Sequence, residues 1–107
     1  MSLPDQLEAF EDCLGLYERA LADSVGARAC FDTYKEAKLM QLRMHQARAL
    51  ERRQTKRLYP ASDLRHGKSE FDCLRCRVQG PDEDGDWWVY VDRHGQDIKT
   101  IEALSEL

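Results

Sequence analysis

Gly80-Pro81-Asp82-Glu83-Asp84-Gly85-Asp86 followed by Trp87-Trp88-Val89-Tyr90-Val91 is the passage on which the architecture turns. The first seven residues are dense in turn formers, because glycine reaches backbone angles closed to other residues and aspartate bonds to the backbone just ahead of it. The next five are β-branched or aromatic and apolar on both faces, Trp87, Val89 and Val91 on one and Trp88 and Tyr90 on the other. Side chains alternate across a strand, so this one is expected to be covered on both sides, by helix on one face and by a partner on the other.

Upstream, Leu74, Cys76 and Val78 alternate with Arg75 and Arg77, the pattern of a half-buried strand. The two strands predict a small antiparallel β segment. Downstream, Asp97 as an N-cap with Ile98, Ile101, Leu104 and Leu107 predicts a short C-terminal helix.

The N-terminal half reads differently. Leu3, Leu7, Phe10, Leu14, Tyr17 and Leu21 recur at alternating spacings of four and three, which predicts an amphipathic helix from an N-cap at Ser2 to about Asp23. A second helix is expected to begin between Ala27 and Thr33, where Thr33 and Glu36 have capping-box spacing, and to run to about Arg57, before Tyr59 and Pro60. With a bend near Val25 the two would form an antiparallel hairpin pairing Tyr17 with Tyr34, Leu14 with Ala37, Phe10 with Met40, Leu7 with Met44 and Leu3 with Ala47. The second helix then overhangs the first, and Leu39, Leu42, Ala49 and Leu50 form a further apolar strip that needs a cover.

The whole is an α+β fold: a two-helix hairpin over 1–58, a connector over 59–69 and a β-rich part over 70–107, in one domain. A chain of 107 residues is long enough for one core and short for two. No basic start followed by an apolar run opens the sequence, and no apolar stretch could cross a bilayer, so a cytoplasmic address without membrane contact is expected. That compartment keeps thiols reduced, and the hairpin register separates Cys13 from Cys30 by ~10 Å along the axis, too far for a disulfide.

Charge is distributed unevenly. Met1 to Tyr34 holds seven acids against two bases, Lys35 to Val78 five against twelve, and Gln79 to Leu107 eight against two. A basic middle therefore lies between acidic ends, and His45, Arg48, Arg52 and Lys56 are spaced to share one helical face.

Catalytic and metal chemistry find little here. No phosphate loop or nucleophile elbow occurs. Cys73 and Cys76 have C-x-x-C spacing, and His66 and His94 could complete a zinc set, but a second closely spaced ligand pair is missing and a strand would point the two cysteines to opposite faces. Neither metal nor cofactor is expected. The expectation is a small non-enzymatic binding protein, a regulator, adaptor or inhibitor, acting through protein contacts as a homodimer. Arg48, Arg52, Arg53 and Lys56 would supply charge for an acidic protein partner, and Trp88 and Tyr90 the apolar anchors. The second reading is a nucleic-acid-binding regulator that grips phosphates with the same basic helix.

Overall fold

The computed structural model describes residues 9–93, which form two helices and a three-stranded antiparallel sheet. In chain order these are α1 (Glu11–Ala22), β1 (Ala27–Phe31), α2 (Tyr34–Leu58), β2 (Leu74–Gln79) and β3 (Trp87–Arg93). The sheet order is β1-β3-β2, so the last strand lies between the two earlier ones. The expected C-terminal helix, and His94, fall outside the described residues.

Both strands foreseen from alternation are present. Leu74 and Cys76 are buried with Val89 and Val91, and they share one hydrophobic cluster with Cys13, Leu16, Tyr17 and Ala20 of α1 and Ala37, Met40, Met44 and Ala47 of α2. Both helices therefore pack on one face of the sheet, the inner face. Phe71, in the approach to β2, stacks on the Tyr17 ring at 4.7 Å between centroids and closes the end of this core.

The helix stop signals and the Thr33 cap hold, but the first helix does not run unbroken from Ser2: Ala9 and Phe10 form a turn and α1 starts at Glu11 with Phe10 at its N-cap, while the Ser2 cap lies outside the described residues. Thr33 caps α2, its hydroxyl oxygen accepting the Glu36 N–H at 3.2 Å, and the helix stops at Leu58, before Tyr59 and Pro60. Helix α1 ends at Ala22, where the chain turns extended at Asp23.

The hairpin is corrected. Ala27–Phe31, read as the approach to the second helix, is a strand, and it reverses the chain once more between the helices. An antiparallel pair would hold the sum of facing residue numbers constant. Instead Cys13 meets Met40 and Tyr17 meets Met44, both 27 residues apart, so the helices advance together. Tyr34, expected against Tyr17, is half-exposed and sits edge-on to Trp87 at 4.8 Å. The pairs that involve Leu3 and Leu7 lie outside the described residues.

The distal half of α2 is not bare. The segment before β2 runs along it: Glu51 accepts from the Ser69 hydroxyl at 2.9 Å and the Glu70 N–H at 3.0 Å, and the Thr55 hydroxyl donates to the Lys68 carbonyl at 2.8 Å. The further apolar strip does not stay together either, since Leu50 is buried while Leu39 and Leu42 are exposed.

A candidate partner-binding face

The face of the sheet turned away from the helices sets aromatic and basic side chains side by side. Alternation explains its content. With Val89 and Val91 inward, β3 directs Trp88, Tyr90 and Asp92 outward; β1 adds Arg28 and Cys30, and β2 adds Arg75, Arg77 and Gln79. Strand register then orders them in rows, with Tyr90 between Arg28 and Arg77, and Asp92 beside Arg75.

The contacts within these rows are polar and aromatic. The Arg28 guanidinium lies 3.8 Å from the centroid of the Trp88 ring and donates to the Tyr90 hydroxyl at 3.2 Å. Arg77 lies 5.6 Å over the other side of Tyr90. Asp92 accepts from Arg75 Nε at 2.8 Å and from Arg77 Nη2 at 2.7 Å. Burial pushes the Asp92 carboxyl up, but the two guanidiniums outweigh it and hold the group below its ordinary value.

The acidic loop is tied to the same surface. Trp88 Nε1 donates to Asp82 Oδ2 at 2.7 Å, while Asp82 Oδ1 accepts the N–H groups of Asp84 and Asp86 at 2.9 Å. The Trp88 bond is the first of the causes that lower the Asp82 pKa. Asp82, Asp84 and Asp86 bring ligand oxygens within 4.8 Å of one another, yet the hydrogen bonds of Asp82 already assign it a structural part, that of orienting the tryptophan.

Three arginines against one aspartate leave the strand residues of this face positive. Arg28 makes no ion pair among the described residues. A hollow of about 440 Å³ opens here, with Val25, Arg28, Arg77, Tyr90 and Asp92 in its wall. Stacked on an indole and in no ion pair among the described residues, though near enough to Asp82 to help lower its pKa, the Arg28 guanidinium is pre-placed for an incoming acid, because little side-chain freedom remains to be lost.

The six residues singled out from sequence do not meet. Trp88 and Tyr90 are on the outer face, while α2 lies against the inner one. Arg48 is buried: its Nη2 donates to the Leu74 carbonyl at 2.8 Å and to the Tyr17 hydroxyl at 3.1 Å, and that hydroxyl donates to the Met44 carbonyl at 2.8 Å. Burial pushes the Tyr17 hydroxyl up to about 12, against the opposing pull of Arg48. Arg52 pairs with Asp72 at 2.6 Å, not with the acidic loop. Of the four basic residues singled out, Arg53 and Lys56 are exposed with no ion pair among the described residues.

The zinc alternative meets an obstacle in Cys76, which lies in the core, where burial raises its thiol to about 11 and so disfavours the thiolate a metal needs. Cys73 is exposed, and His66 Nδ1 is engaged with the Tyr59 carbonyl at 2.8 Å.

Of the three arginines that sequence reasoning passed over, Arg75 and Arg77 were visible as the outward members of an alternating strand. Arg28 carried no such signal, since its strand was unrecognised. No family model, curated protein or solved structure matches the chain.

Proposed function

We propose that this chain is a small non-enzymatic binding protein, a cytoplasmic regulator, adaptor or inhibitor that functions as a homodimer and grips an acidic protein partner with the outer face of its sheet. The observation that supports this reading is the row Arg28, Tyr90, Arg77 with Trp88 beside it. Tryptophan, tyrosine and arginine are the residues in which protein interfaces concentrate their binding free energy, since large rigid rings exclude water around a guanidinium that can take a carboxylate with two parallel bonds. No described helix is long and apolar enough to cross a membrane, which accords with a partner met in solution.

Acidic protein is favoured over nucleic acid for a physical reason. The Trp88 ring already carries Arg28, so that aromatic face is not open to a stacking base. Arg53 and Lys56, on α2, stand on the far side of the sheet and add nothing to this surface.

The test is recovery of the bound macromolecule from the native source with two variants in parallel. Arg28→Ala combined with Tyr90→Ala should release an acidic protein that the wild type retains, whereas Arg53→Ala with Lys56→Ala should retain it. Submicromolar, salt-dependent binding of the wild type to RNA or DNA at physiological ionic strength, abolished by the Arg53 and Lys56 changes, would overturn the reading.

A further inference from the structure

The two edges of the sheet are finished differently. At the β2 edge, α2 reaches over and satisfies the outward carbonyls: Gln41 Nε2 donates to Cys76 O at 3.0 Å and Arg48 Nη2 to Leu74 O at 2.8 Å. An edge so covered cannot pair with another strand.

At the β1 edge nothing comparable exists among the described residues. Gly26 sits at φ 120°, and any side chain there would run into the Val91 carbonyl oxygen, so Val91 faces β1. In an antiparallel ladder this makes Ala27, Ala29 and Phe31 the residues bonded to β3, and turns the N–H and C=O groups of Arg28 and Cys30 outward. No described group bonds to them, and the strand has neither proline nor bulge and one charged residue, Arg28.

We infer that this edge joins two copies of the chain, β1 pairing antiparallel with β1 across a two-fold axis at Cys30, to give a continuous six-stranded sheet. The inference rests on the self-association proposed above and names its surface. Complementarity picks out the second copy and the register. With Cys30 opposite Cys30 of the second copy, Arg28 faces Asp32 of that copy, an exposed carboxylate without an ion pair among the described residues. In the dimer Arg28 is thus shared with the two-fold axis, and Tyr90 with Arg77 leads the contact with the acidic partner. On the inner side, the same register sets Phe31 of the second copy opposite Ala29, beside a groove of about 440 Å³ walled by Ala29, Phe31, Leu39 and Met40 together with the charged Asp12 and Arg43. Large side chain meets small, and half-exposed Leu39 gains cover. A shift of two residues toward the N-terminus would instead oppose Arg28 to Arg28, which like charge disfavours.

Sedimentation velocity at rising micromolar concentration, with thiol cross-linking, tests this. Cys13 and Cys76 are buried, so in a Cys73→Ser background Cys30 is the one exposed thiol. Facing strand residues lie about 5.5 Å apart between Cα atoms, within disulfide reach, and mild oxidation should link two chains through Cys30. Cys30→Lys, which opposes lysine to lysine on an exposed position, should weaken the dimer at least about tenfold with the melting temperature of the dilute monomer unchanged. A dimer that survives Cys30→Lys and yields no Cys30 cross-link would overturn this edge while leaving self-association standing. A monomer at every concentration would overturn both, and so would a monomer that takes up an extended acidic peptide along β1.

Discussion

Arg48 and Arg28 each place a guanidinium near an aromatic ring, Arg48 5.2 Å from Tyr17 and Arg28 3.8 Å from Trp88, yet they serve opposite ends. Arg48 is enclosed between α2 and the inner face of the sheet and directs its donors at a carbonyl and a hydroxyl inside the fold. Arg28 lies on the outer face with its edge toward solvent. What separates a structural arginine from an available one is therefore the supply of internal acceptors, not the residue type or its place in a basic run. Arg48 belongs to the most basic segment of the chain and is the least accessible of its stripe; Arg28 belongs to an acidic third and is exposed, with no ion pair among the described residues.

Graded substitutions can break that contrast. The largest loss is expected for Arg48→Met, which keeps the aliphatic stem but leaves the buried Leu74 carbonyl without its donor; urea unfolding should show a loss of about 3 kcal/mol. A change within about 0.5 kcal/mol would place Arg48 at the surface after all.

Next comes Asp92→Asn, which withdraws the carboxylate shared by Arg75 and Arg77. These groups are partly exposed, so about 1–2 kcal/mol is expected at neutral pH. The sign with pH follows from the lowered pKa: the contribution is complete above the unfolded carboxylate value of about 3.9 and fades as pH falls through the lower folded value. The gap between wild type and variant should close in acid, and a gap that widened there would reverse the assignment.

Arg28→Ala should cost about 0.5–1 kcal/mol of stability, the scale of an exposed cation–π contact, while removing the acidic partner. Smallest of all, Arg53→Ala should move the unfolding midpoint by an amount within about 0.5 kcal/mol equivalent, at any salt concentration. Should Arg53→Ala prove as costly as Arg48→Met, the contrast between enclosed and open arginines would fail.

Much of the architecture was legible from local pattern. Trp87 to Val91 and the alternating Leu74 to Val78 announce themselves by period, and the Thr33 cap by spacing, because each needs only neighbours in sequence. The strand Ala27–Phe31 was not, for a physical reason: Ala-Arg-Ala-Cys has no strong strand preference, and its conformation is imposed by pairing with β3 at the other end of the described chain. Gly26 was the one available hint, a residue placed where the backbone takes a positive φ beside a carbonyl. Missing β1 turned parallel-running helices into a hairpin, and it hid Arg28. The apolar duality of Trp87 to Val91 was read correctly, but what accompanies Trp88 is largely arginine from its own sheet, a match that register decides and periodicity does not reveal.

The sheet order β1-β3-β2 also bears on how the molecule comes into being. Among the described residues β1 and β2 do not pair with each other and each finds its ladder in β3, so a chain elongated as far as Asp86 holds both strands without that shared partner. Helices can form during synthesis, but the sheet must arrive in one late event, when Trp87–Arg93 threads between partners made earlier. Closing those loops is an entropic toll met before any ladder bond rewards it, which points to slow, high-contact-order folding despite the helical content. Until then Ala27–Phe31 waits for the strand that gives it its ladder.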